Sequence, residues 1–313
     1  MKICITGATG YIGQALTAML SEQQSIDVKL LSRDDCRALQ EYESDFSAVE
    51  SRIIEKVRGS DAVIHLAGRA HILNGNDKYA EEEFHFVNVA LTASLARLSV
   101  ALSVRQFIFI SSIGVIGDTS TSVLFSESSN TNPKTTYAKS KLTAEKVLAE
   151  ILEPSSTSLT IIRPPLVFSA NAPGNFNRLL RAVKTFPALP FRNTRSVRSL
   201  ISLDNLVDFI FTCATHPGAM GETFVISDIT ISVRELIELL AKGMGRKVVL
   251  LPIPLDLTRG IARLLRKERA HNQLFGSLII DSAKATRLLG WTPKSDPKEL
   301  LILSGYKYNI DNN

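Results

Sequence analysis

The sequence predicts an α/β protein: a doubly wound parallel sheet with a smaller C-terminal α/β subdomain. Short, continuous apolar runs alternate with helical patterns through residues 1–164. This alternation is typical of parallel strands whose two faces are covered by crossover helices. A glycine-rich turn also follows the first apolar run directly. Ligands of such sheets bind at the carboxyl ends of the strands, so the residues that follow each strand are the first candidates for a site.

Hydrophobic periodicity gives the order of the elements in this first half. Strands are predicted at residues 2–6, 28–31, 62–66, 106–110 and 159–162, and helices at residues 11–24, 82–100 and 137–151. After Pro164 and Pro165 the pattern becomes irregular. We therefore predict a first domain of residues 1–164, to which 200–227 return, and a second subdomain of residues 165–199 and 228–313.

Composition excludes several classes of protein. A chain of 313 residues with 45% hydrophobic and 21% charged residues has the composition of an ordinary globular protein. The N-terminus lacks the pattern of a signal peptide, and no run approaches the ~20 apolar residues of a membrane span. The three cysteines have no metal-ligand spacing and are predicted to be reduced thiols. The sequence therefore predicts a cytoplasmic protein without a metal site or a membrane contact.

The positions of the charges are more informative than the net charge of +5, which is too small to indicate a nucleic-acid partner. Six basic residues and no acidic residue lie between Gly174 and Arg198. This stretch is either a solvated helix face with its loop or the wall of a pocket for an anionic substrate, and the sequence leaves both interpretations open.

The turn after the first strand has the features of a pyrophosphate-binding turn. Glycines allow a tight turn and close approach of the backbone, and the helix that follows offers free N–H groups and the positive end of its dipole. The alternative is a glycine-rich turn without a ligand. The predicted cofactor contacts here are Gly7, Thr9, Gly10, Tyr11, Ile12 and Gly13.

The end of the second strand, Ser32-Arg33-Asp34-Asp35, bears on the choice of cofactor. An acidic residue at this position would bind the adenosine ribose of NAD, whereas an arginine favours the 2′-phosphate of NADP. Because Arg33 comes first, beside Ser32, we expect both residues to contact the cofactor and NADP to be preferred over NAD. A plain helix cap at Ser32 or Asp34 is the alternative.

The third strand is expected to pass beneath the cofactor. Asp61 at its start is predicted to reach the adenine edge, and Leu66, Ala67 and Gly68 at its end to allow close approach to the cofactor. His65 lies in mid-strand and is interpreted as a core histidine with satisfied hydrogen bonds.

Three residues together fit hydride-transfer chemistry. The fourth strand delivers Ser112 to its carboxyl end, and Tyr137 and Lys141, four residues apart at the start of a helix, share one helix face. A free tyrosine with a pKa of about 10 is a poor base at neutral pH. An adjacent ammonium and a positive nicotinamide ring both favour the phenolate. Tyr137 is therefore the predicted acid/base, with Ser112 holding the substrate oxygen and Lys141 anchoring the nicotinamide ribose.

At this point the chain resembles the extended short-chain dehydrogenase/reductases of the NAD-dependent epimerase/dehydratase family, which have a Rossmann fold. The matching segments are Thr6–Gly13, Asp61–Ala67, Asn88, Ser111–Gly117, Tyr137–Lys141 and Arg163-Pro164. The resemblance implies that Ser112, Tyr137 and Lys141 form the catalytic triad, that Asn88 belongs to the cofactor site, and that the C-terminal part binds a nucleoside diphosphate sugar.

Two later segments resemble the substrate segments of sugar-nucleotide C4-epimerases and 4-keto-sugar reductases. By this resemblance Asn175 contacts the nucleotide of a UDP-sugar and Arg198 its diphosphate, with Arg269 a candidate second diphosphate arginine. The Leu288–Pro293 segment is similar to a C-terminal signature of the group, and the resemblance also suggests a homodimer through the helices near residues 82–100 and 137–151.

Departures from the family pattern limit the choice of reaction. Ile113-Gly114 stand where the 4,6-dehydratases carry an acidic pair, so dehydration is disfavoured. A 4-epimerase, which keeps its cofactor bound, and a 4-keto-sugar reductase, which exchanges it, remain equally open. Two further alternatives are a reductase of a steroid-like or phenolic ketone and a non-catalytic NAD(P)-sensing or RNA-binding protein.

Overall fold

The apolar runs of the first half form one parallel sheet, and the helical patterns form its crossovers. The computed structural model describes residues 1–40, 49–69, 82, 84–120, 123–254, 259–260, 263–264 and 275–312. The elements of the first half are β1 (Lys2–Thr6), α1 (Tyr11–Ser21), β2 (Asp27–Leu31), α2 (Arg33–Gln40), α3 (Ser51–Val57), β3 (Ala62–His65), a π-helical turn (Phe86–Ala90) that runs into α4 (Leu91–Ala101), β4 (Gln106–Ile110), a 3-10 turn (Ile113–Val115), α5 (Thr136–Leu152) and β5 (Ser158–Arg163).

The second half contributes shorter strands and the remaining helices. These are β6 (Leu166–Phe168), α6 (Asn175–Thr185), β7 (Ala188–Leu189), β8 (Val197–Ser202), α7 (Leu203–Thr215), β9 (Thr223–Val225), β10 (Ile229–Ser232), α8 (Val233–Gly243), β11 (Val249–Leu250), α9 (Ala283–Leu289) and α10 (Pro297–Asp311).

The main sheet has the strand order β2-β1-β3-β4-β5-β9, with every pair parallel. Successive side chains point to opposite faces, so Ile108 joins the apolar core beneath α1 and α7, while Phe107 and Phe109 join the core beneath α4 and α5. Burial on both faces is the physical basis of a doubly wound sheet, and it confirms the predicted fold class. The strand order reverses between β1 and β3, where such folds open a crevice for a ligand.

A three-stranded sheet, β10-β8-β6, and the short pair β11-β7 form the smaller part of the molecule. Their core includes Phe176 of α6, Leu236 of α8 and Tyr308 of α10. Residues 200–202, which the sequence assigned to the first domain, lie in this small sheet as the end of β8. The chain then returns to the main sheet, because α7 packs beside α1 and β9 pairs with β5.

The helices expected to pair between subunits differ in what they present to solvent. Residues 91–96 of α4 are all buried within the chain itself. The exposed side chains of α5 include Thr143, Lys146 and Glu150, which are polar. The homodimer therefore stays a prediction. Within the described residues, the structure contains no helix with the length and apolarity needed to cross a membrane.

The C-terminal signature is held to the main sheet through α7. The indole N–H of Trp291 donates to Asp208 Oδ2 at 2.8 Å, and the Trp291 ring meets Phe209 edge-on with 5.0 Å between ring centroids. Four residues later, the backbone of Ser295 exchanges two hydrogen bonds with the side-chain amide of Asn205. Asn205 and Asp208 are three residues apart, so both contacts lie on one face of α7.

Trp291→Phe should lower the free energy of unfolding by about 1–3 kcal/mol, because it removes the indole donor and leaves a buried carboxylate oxygen without that bond. Urea unfolding followed by circular dichroism measures this loss. Tyr306→Phe, at an exposed position of α10, is the matched control and should change stability little. Equal stability of Trp291→Phe and the parent protein would show that the indole bond does not hold the segment.

Candidate dinucleotide and active site

The glycine turn between β1 and α1 is compressed against two neighbours. Gly7 has a φ of +74°, and a Cβ on it would lie 2.6 Å from the backbone N of Ala67, just beyond β3. A Cβ on Gly13 would lie 2.1 Å from the carbonyl oxygen of Gly7. Side chains at these two positions would separate the turn from β3 and from α1. The turn therefore requires glycine at both positions.

The first turn of α1 offers donors to an anion. Gly10 caps the helix without a side-chain hydrogen bond, and the first turn carries no acidic residue. The N–H groups of Tyr11, Ile12 and Gly13 have no partner within the helix, because the first turn of any α-helix lacks preceding carbonyls. Thr9 is exposed beside them. The glycine cradle and these donors fit the pyrophosphate of a dinucleotide.

Tyr11 also connects this turn to the small sheet. Its hydroxyl donates to Ser169 Oγ at 2.8 Å, directly after β6. The side chain that the sequence assigned to the cofactor site is thus a link between the two parts of the molecule.

The end of β2 lies beside the glycine turn, because Leu31 pairs with Thr6. Ser32 caps α2: its hydroxyl accepts from the Asp35 N–H at 3.1 Å, and Asp35 Oδ2 accepts from the Ser32 N–H at 2.8 Å. The helix-cap interpretation therefore applies to Ser32, while Asp34 and Arg33 are exposed. Arg33 remains at this end of the sheet, where the sequence placed it.

Asp35 is fully buried and is engaged by cations. Lys56 Nζ lies 2.7 Å from Asp35 Oδ2, and the Arg52 guanidinium pairs with Oδ1. Burial alone would raise the pKa of this carboxyl, but hydrogen bonds from Lys56 and Ser32 lower its pKa overall. The carboxylate is committed to these contacts, which leaves Arg33 and Asp34 as the exposed charges at the end of β2.

Asp61 lies at the amino ends of the strands, whereas the glycine turn lies at their carboxyl ends. Its carboxylate accepts from the backbone N–H of Lys2 at 2.8 Å, and its own N–H donates to the Lys2 carbonyl. Both residues are at the amino ends of their strands. The predicted contact of Asp61 with the adenine edge is therefore wrong, because the cofactor turn is at the carboxyl ends.

The end of β3 is close to both halves of the candidate site. Leu66 donates its N–H to the Thr6 carbonyl, and Ala67 is the residue that closes on Gly7. A Cβ on the exposed Gly68 would lie 3.2 Å from Lys141 Nζ and 3.2 Å from Asn88 Oδ1. Three predicted cofactor residues, Leu66, Ala67 and Gly68, therefore connect the glycine turn with Lys141.

Lys141 carries the most strongly perturbed cation of the site. It is 4% exposed, donates from Nζ to the Ile110 carbonyl at 2.8 Å, and lies 4.5 Å from the centroid of the Phe109 ring. Burial lowers its pKa from 10.5 to about 8, and Glu145, one turn further along α5, opposes this shift. The ammonium is thus held at the carboxyl end of β4.

Tyr137 and Ser112 lie at the same edge. Ser112 follows Ile110 by two residues, and its hydroxyl accepts from the Gly114 N–H at 3.1 Å. A Cβ on Gly114 would contact Ala138, next to Tyr137. Burial raises the pKa of Tyr137 to about 12. Burial is the cause of this shift, and the effect of the ammonium that was expected to favour the phenolate is not seen in the protein by itself.

The Asn88 side chain forms hydrogen bonds with the backbone of Arg69 and with Ser140 of α5. In the π-helical turn, its side chain accepts from the Arg69 N–H at 2.8 Å and donates to the Arg69 carbonyl at 3.1 Å. It also donates to Ser140 Oγ at 3.0 Å, and Ser140 donates to the Tyr137 carbonyl at 2.8 Å. These three partners are protein groups, so in this structure Asn88 orients the residues around the cofactor site.

The predicted substrate residues lie on different elements. Burial lowers the pKa of Arg198 in β8, and the carboxylate of Asp118, in the loop after Ser112, opposes that shift. Asn175 is exposed at the start of α6, next to Phe176, which packs on Phe168. Asp118 is thus near enough to influence Arg198 electrostatically, an interaction that the sequence did not reveal.

The basic stretch of residues 174–198 divides between two roles. Lys184 donates to the carbonyls of Asn309 and Asn312, where a cation neutralises the negative end of α10. Arg178 and Arg181 are exposed on α6, as the solvated-face interpretation expects. Arg269 lies outside the described residues.

The buried ion pair between Arg163 and Glu145 was not predicted from the sequence. Arg163 Nε and Nη2 donate to the two carboxylate oxygens of Glu145 at 2.9 and 2.6 Å. Glu145 is four residues after Lys141, so the i, i+4 spacing placed it on the lysine's face of the helix. Its pairing with the end of β5 required the three-dimensional structure.

Comparison with known proteins decides the family. The model of the NAD dependent epimerase/dehydratase family matches residues 3–227. The chain belongs to this family. The UDP-glucose 4-epimerase of Vibrio cholerae is 32% identical over 306 residues, which cover 95% of this chain and 92% of that protein. The family resemblance predicted from the sequence motifs is confirmed.

Solved structures of the epimerase/dehydratase fold superpose on the whole chain. The UDP-glucuronic acid 4-epimerase of Bacillus cereus in complex with UDP-glucuronic acid and NAD has a TM-score of 0.74 at 20% identity, covering 100% of both chains. RMD of Pseudomonas aeruginosa complexed with NADPH has a TM-score of 0.72 at 20% identity, covering 99% of both. The fold thus occurs with either nicotinamide cofactor.

The stability of the cofactor-free protein should depend on the ionisation of Lys141. Between about pH 8 and 10.5 the unfolded chain binds more protons at this residue than the folded chain, so the free energy of unfolding contributed by Lys141 rises with pH. Urea unfolding of the parent protein and of Lys141→Met across this range should give a difference that grows in favour of the parent. The exposed Lys139→Met is the control, and a flat difference for Lys141→Met would contradict the buried ammonium.

Proposed function

We propose that this chain is a 4-epimerase of a UDP-hexose, in which Tyr137 is the acid/base, Lys141 its charged neighbour and Ser112 the group that holds the substrate oxygen. The observation that carries the proposal is the arrangement at the carboxyl ends of β1, β3 and β4. There Gly7 closes on Ala67, Gly68 approaches Lys141, and Lys141 binds the end of the strand that delivers Ser112. The UDP-glucose 4-epimerase at 32% identity supports the choice of reaction.

The chemistry requires a hydride to leave C4 of the sugar while a proton leaves the oxygen attached to C4. Oxidation removes a hydride from carbon and a proton from the attached hydroxyl, and reduction of the 4-keto sugar from the other face reverses both. A bound nicotinamide supplies the hydride acceptor and donor. Tyr137 is proposed to take the hydroxyl proton and to return it, so no proton is gained or lost over the cycle.

Tyr137 needs positive charge nearby to act as a base, because burial raises its pKa to about 12. Lys141 lies on the same helix face and is kept charged below about pH 8. An opposite charge within a few ångströms favours the ionised phenol, and the low dielectric of a buried site strengthens that effect. The oxidised nicotinamide adds a second positive charge when bound.

Ser112 has a hydroxyl proton that it can donate to the substrate. Its oxygen accepts from the Gly114 N–H, which fixes the position of the oxygen and leaves that proton available. A hydroxyl donor at this position stabilises the negative charge that develops on the C4 oxygen during hydride transfer. Arg198 is proposed to bind the diphosphate, since a guanidinium suits phosphate oxygens.

A 4-keto-sugar reductase using NADPH is the second candidate, and the end of β2 favours it. Asp35 is committed to Lys56, Arg52 and Ser32, whereas Arg33 is exposed. The exposed arginine, which comes before the exposed Asp34, suits a 2′-phosphate. We infer that NADP can bind here. A reductase would use the same Tyr137 and would release its cofactor after each turnover.

The two reactions are separated by the state of the cofactor and by the product. An epimerase should copurify with NAD and convert UDP-glucose to UDP-galactose without added cofactor, as measured by mass spectrometry and chromatography of the sugar nucleotides. Tyr137→Phe should keep the cofactor and lose turnover by about 100-fold or more. Tyr306→Phe, at an exposed tyrosine, is the control. An empty site that fills only with NADPH, together with consumption of a UDP-4-keto sugar, would reject the epimerase for the reductase.

Arg198→Ala should weaken the affinity for UDP by about 10- to 100-fold, since it removes charged hydrogen bonds to phosphate. Isothermal titration calorimetry measures the change. Arg234→Ala is the control, because Arg234 is exposed on α8 and pairs with Glu238. Unchanged affinity would count against a nucleotide-sugar substrate and in favour of a non-sugar ketone. Salt-dependent binding to RNA without turnover of any sugar nucleotide would instead support the hypothesis of a non-catalytic, RNA-binding protein.

A further inference from the structure

The buried His65 takes no part in the chemistry proposed above, yet it is completely inaccessible to solvent and fully hydrogen-bonded. Its Nδ1 lies 2.6 Å from Thr6 Oγ1 at the end of β1, and its Nε2 lies 2.8 Å from Thr92 Oγ1 in α4. Phe109 stacks on its ring, with 5.8 Å between the centroids. The imidazole therefore bridges two elements from within the sheet.

The direction of each hydrogen bond follows from the partners. Thr92 Oγ1 donates its proton to the Asn88 carbonyl at 2.7 Å, so toward the ring it can only accept. His65 must then carry its proton on Nε2 and accept at Nδ1 from the Thr6 hydroxyl. Thr6 Oγ1 in turn accepts from the Ala67 N–H at 3.3 Å. Burial, with the charge of Lys141, lowers the pKa of His65 to about 3, which keeps the ring neutral.

The two ends of this hydrogen-bonded chain are the two halves of the candidate site. At one end, Ala67 is the residue whose backbone closes on Gly7 in the glycine turn. At the other end, Asn88 binds the Arg69 backbone and Ser140, and Ser140 binds the Tyr137 carbonyl. The chain Ala67–Thr6–His65–Thr92–Asn88 thus joins the glycine turn to α5, the helix that carries Tyr137 and Lys141.

We propose that His65 is a positioning residue, whose single tautomer joins the glycine turn to the π-helical turn of Asn88 and so holds Tyr137 and Lys141 in place relative to the cofactor. A neutral imidazole suits this role because it presents one donor and one acceptor on opposite sides of a rigid ring. Fully satisfied buried networks of this kind fix one geometry, since every alternative leaves a polar group unpaired.

The kinetic test breaks the chain on either side of the ring while leaving the histidine in place. Thr6→Val and Thr92→Val should each lower kcat by about 5- to 10-fold, with KM and cofactor affinity changed less than about 3-fold. The double variant should be little worse than either single variant, because the two threonines act through the same ring. Thr92→Ser keeps the hydroxyl and should restore kcat.

Thr160→Val is the matched control for the loss of a buried threonine hydroxyl. Thr160 is equally buried and makes two hydrogen bonds, to the Ala219 carbonyl and the Gln106 amide, away from the site. It should lose stability as Thr92→Val does and keep its kcat. Equal kcat for Thr92→Val and the parent protein, or an equal fall for Thr160→Val, would overturn the positioning role.

A spectroscopic test does not rest on the proposed function. Long-range proton–nitrogen NMR of the cofactor-free protein, labelled in its histidines, should show His65 protonated on Nε2 and unchanged from about pH 5 to about pH 8. Thr92→Val should shift the Nε2 resonance. An Nδ1 proton or a titration in this range would overturn the proposal. Because this result is independent of turnover, inactivity on UDP-sugars would reject the proposed function alone.

Discussion

A buried ammonium group is the constraint around which this site is arranged. Taking the Lys141 charge out of water is unfavourable, and the protein offsets the cost only partly, through one carbonyl, the face of one aromatic ring and the carboxylate of Glu145. Glu145 is itself bound on both oxygens by Arg163. The charge is therefore kept close to the site with little freedom to move, as its proposed role beside Tyr137 requires.

The carboxyl edge of the sheet brings these parts together because parallel strands all end on the same side. β1 contributes the compressed turn, β3 the small residues beneath it, and β4 the carbonyl that binds Lys141 and the serine two residues on. The small sheet reaches the same edge through Tyr11 and Ser169. Glycines lie where two backbone segments approach each other, at Gly7 and Gly68. The end of β4 supplies a carbonyl that binds Lys141 and the hydroxyl of Ser112.

Much of the fold could be predicted from the sequence, because local patterns determine where its strands and longer helices lie. The alternation of apolar runs and helices predicted the parallel sheet, and β4 was predicted with its observed bounds. The helices α2 and α3 are short and lack a long apolar stripe, so periodicity did not detect them. The single helix predicted over 82–100 contains a π-helical turn at Phe86–Ala90, which hydrophobic periodicity does not distinguish from an α-helix.

The error over Asp61 has a simple physical source. A residue that begins a parallel strand lies at the amino edge, a full strand length from the ligand, whatever motif it belongs to. Asp118 and Glu145 were missed as residues near the site for a different reason. Their partners, Arg198 and Arg163, lie 80 and 18 residues away, and only the tertiary fold brings them into range.

The last strand of the main sheet has a consequence for how the chain is completed. β9 pairs with β5, but the small sheet's first strands and α7 are threaded between them in the sequence. When only the first 164 residues have left the ribosome, β5 is an outer strand of the sheet. Its unpaired N–H and C=O groups can then pair with other chains. Closing that edge requires some sixty further residues, so a partly synthesised chain has to keep β5 from pairing with other chains until β9 is available.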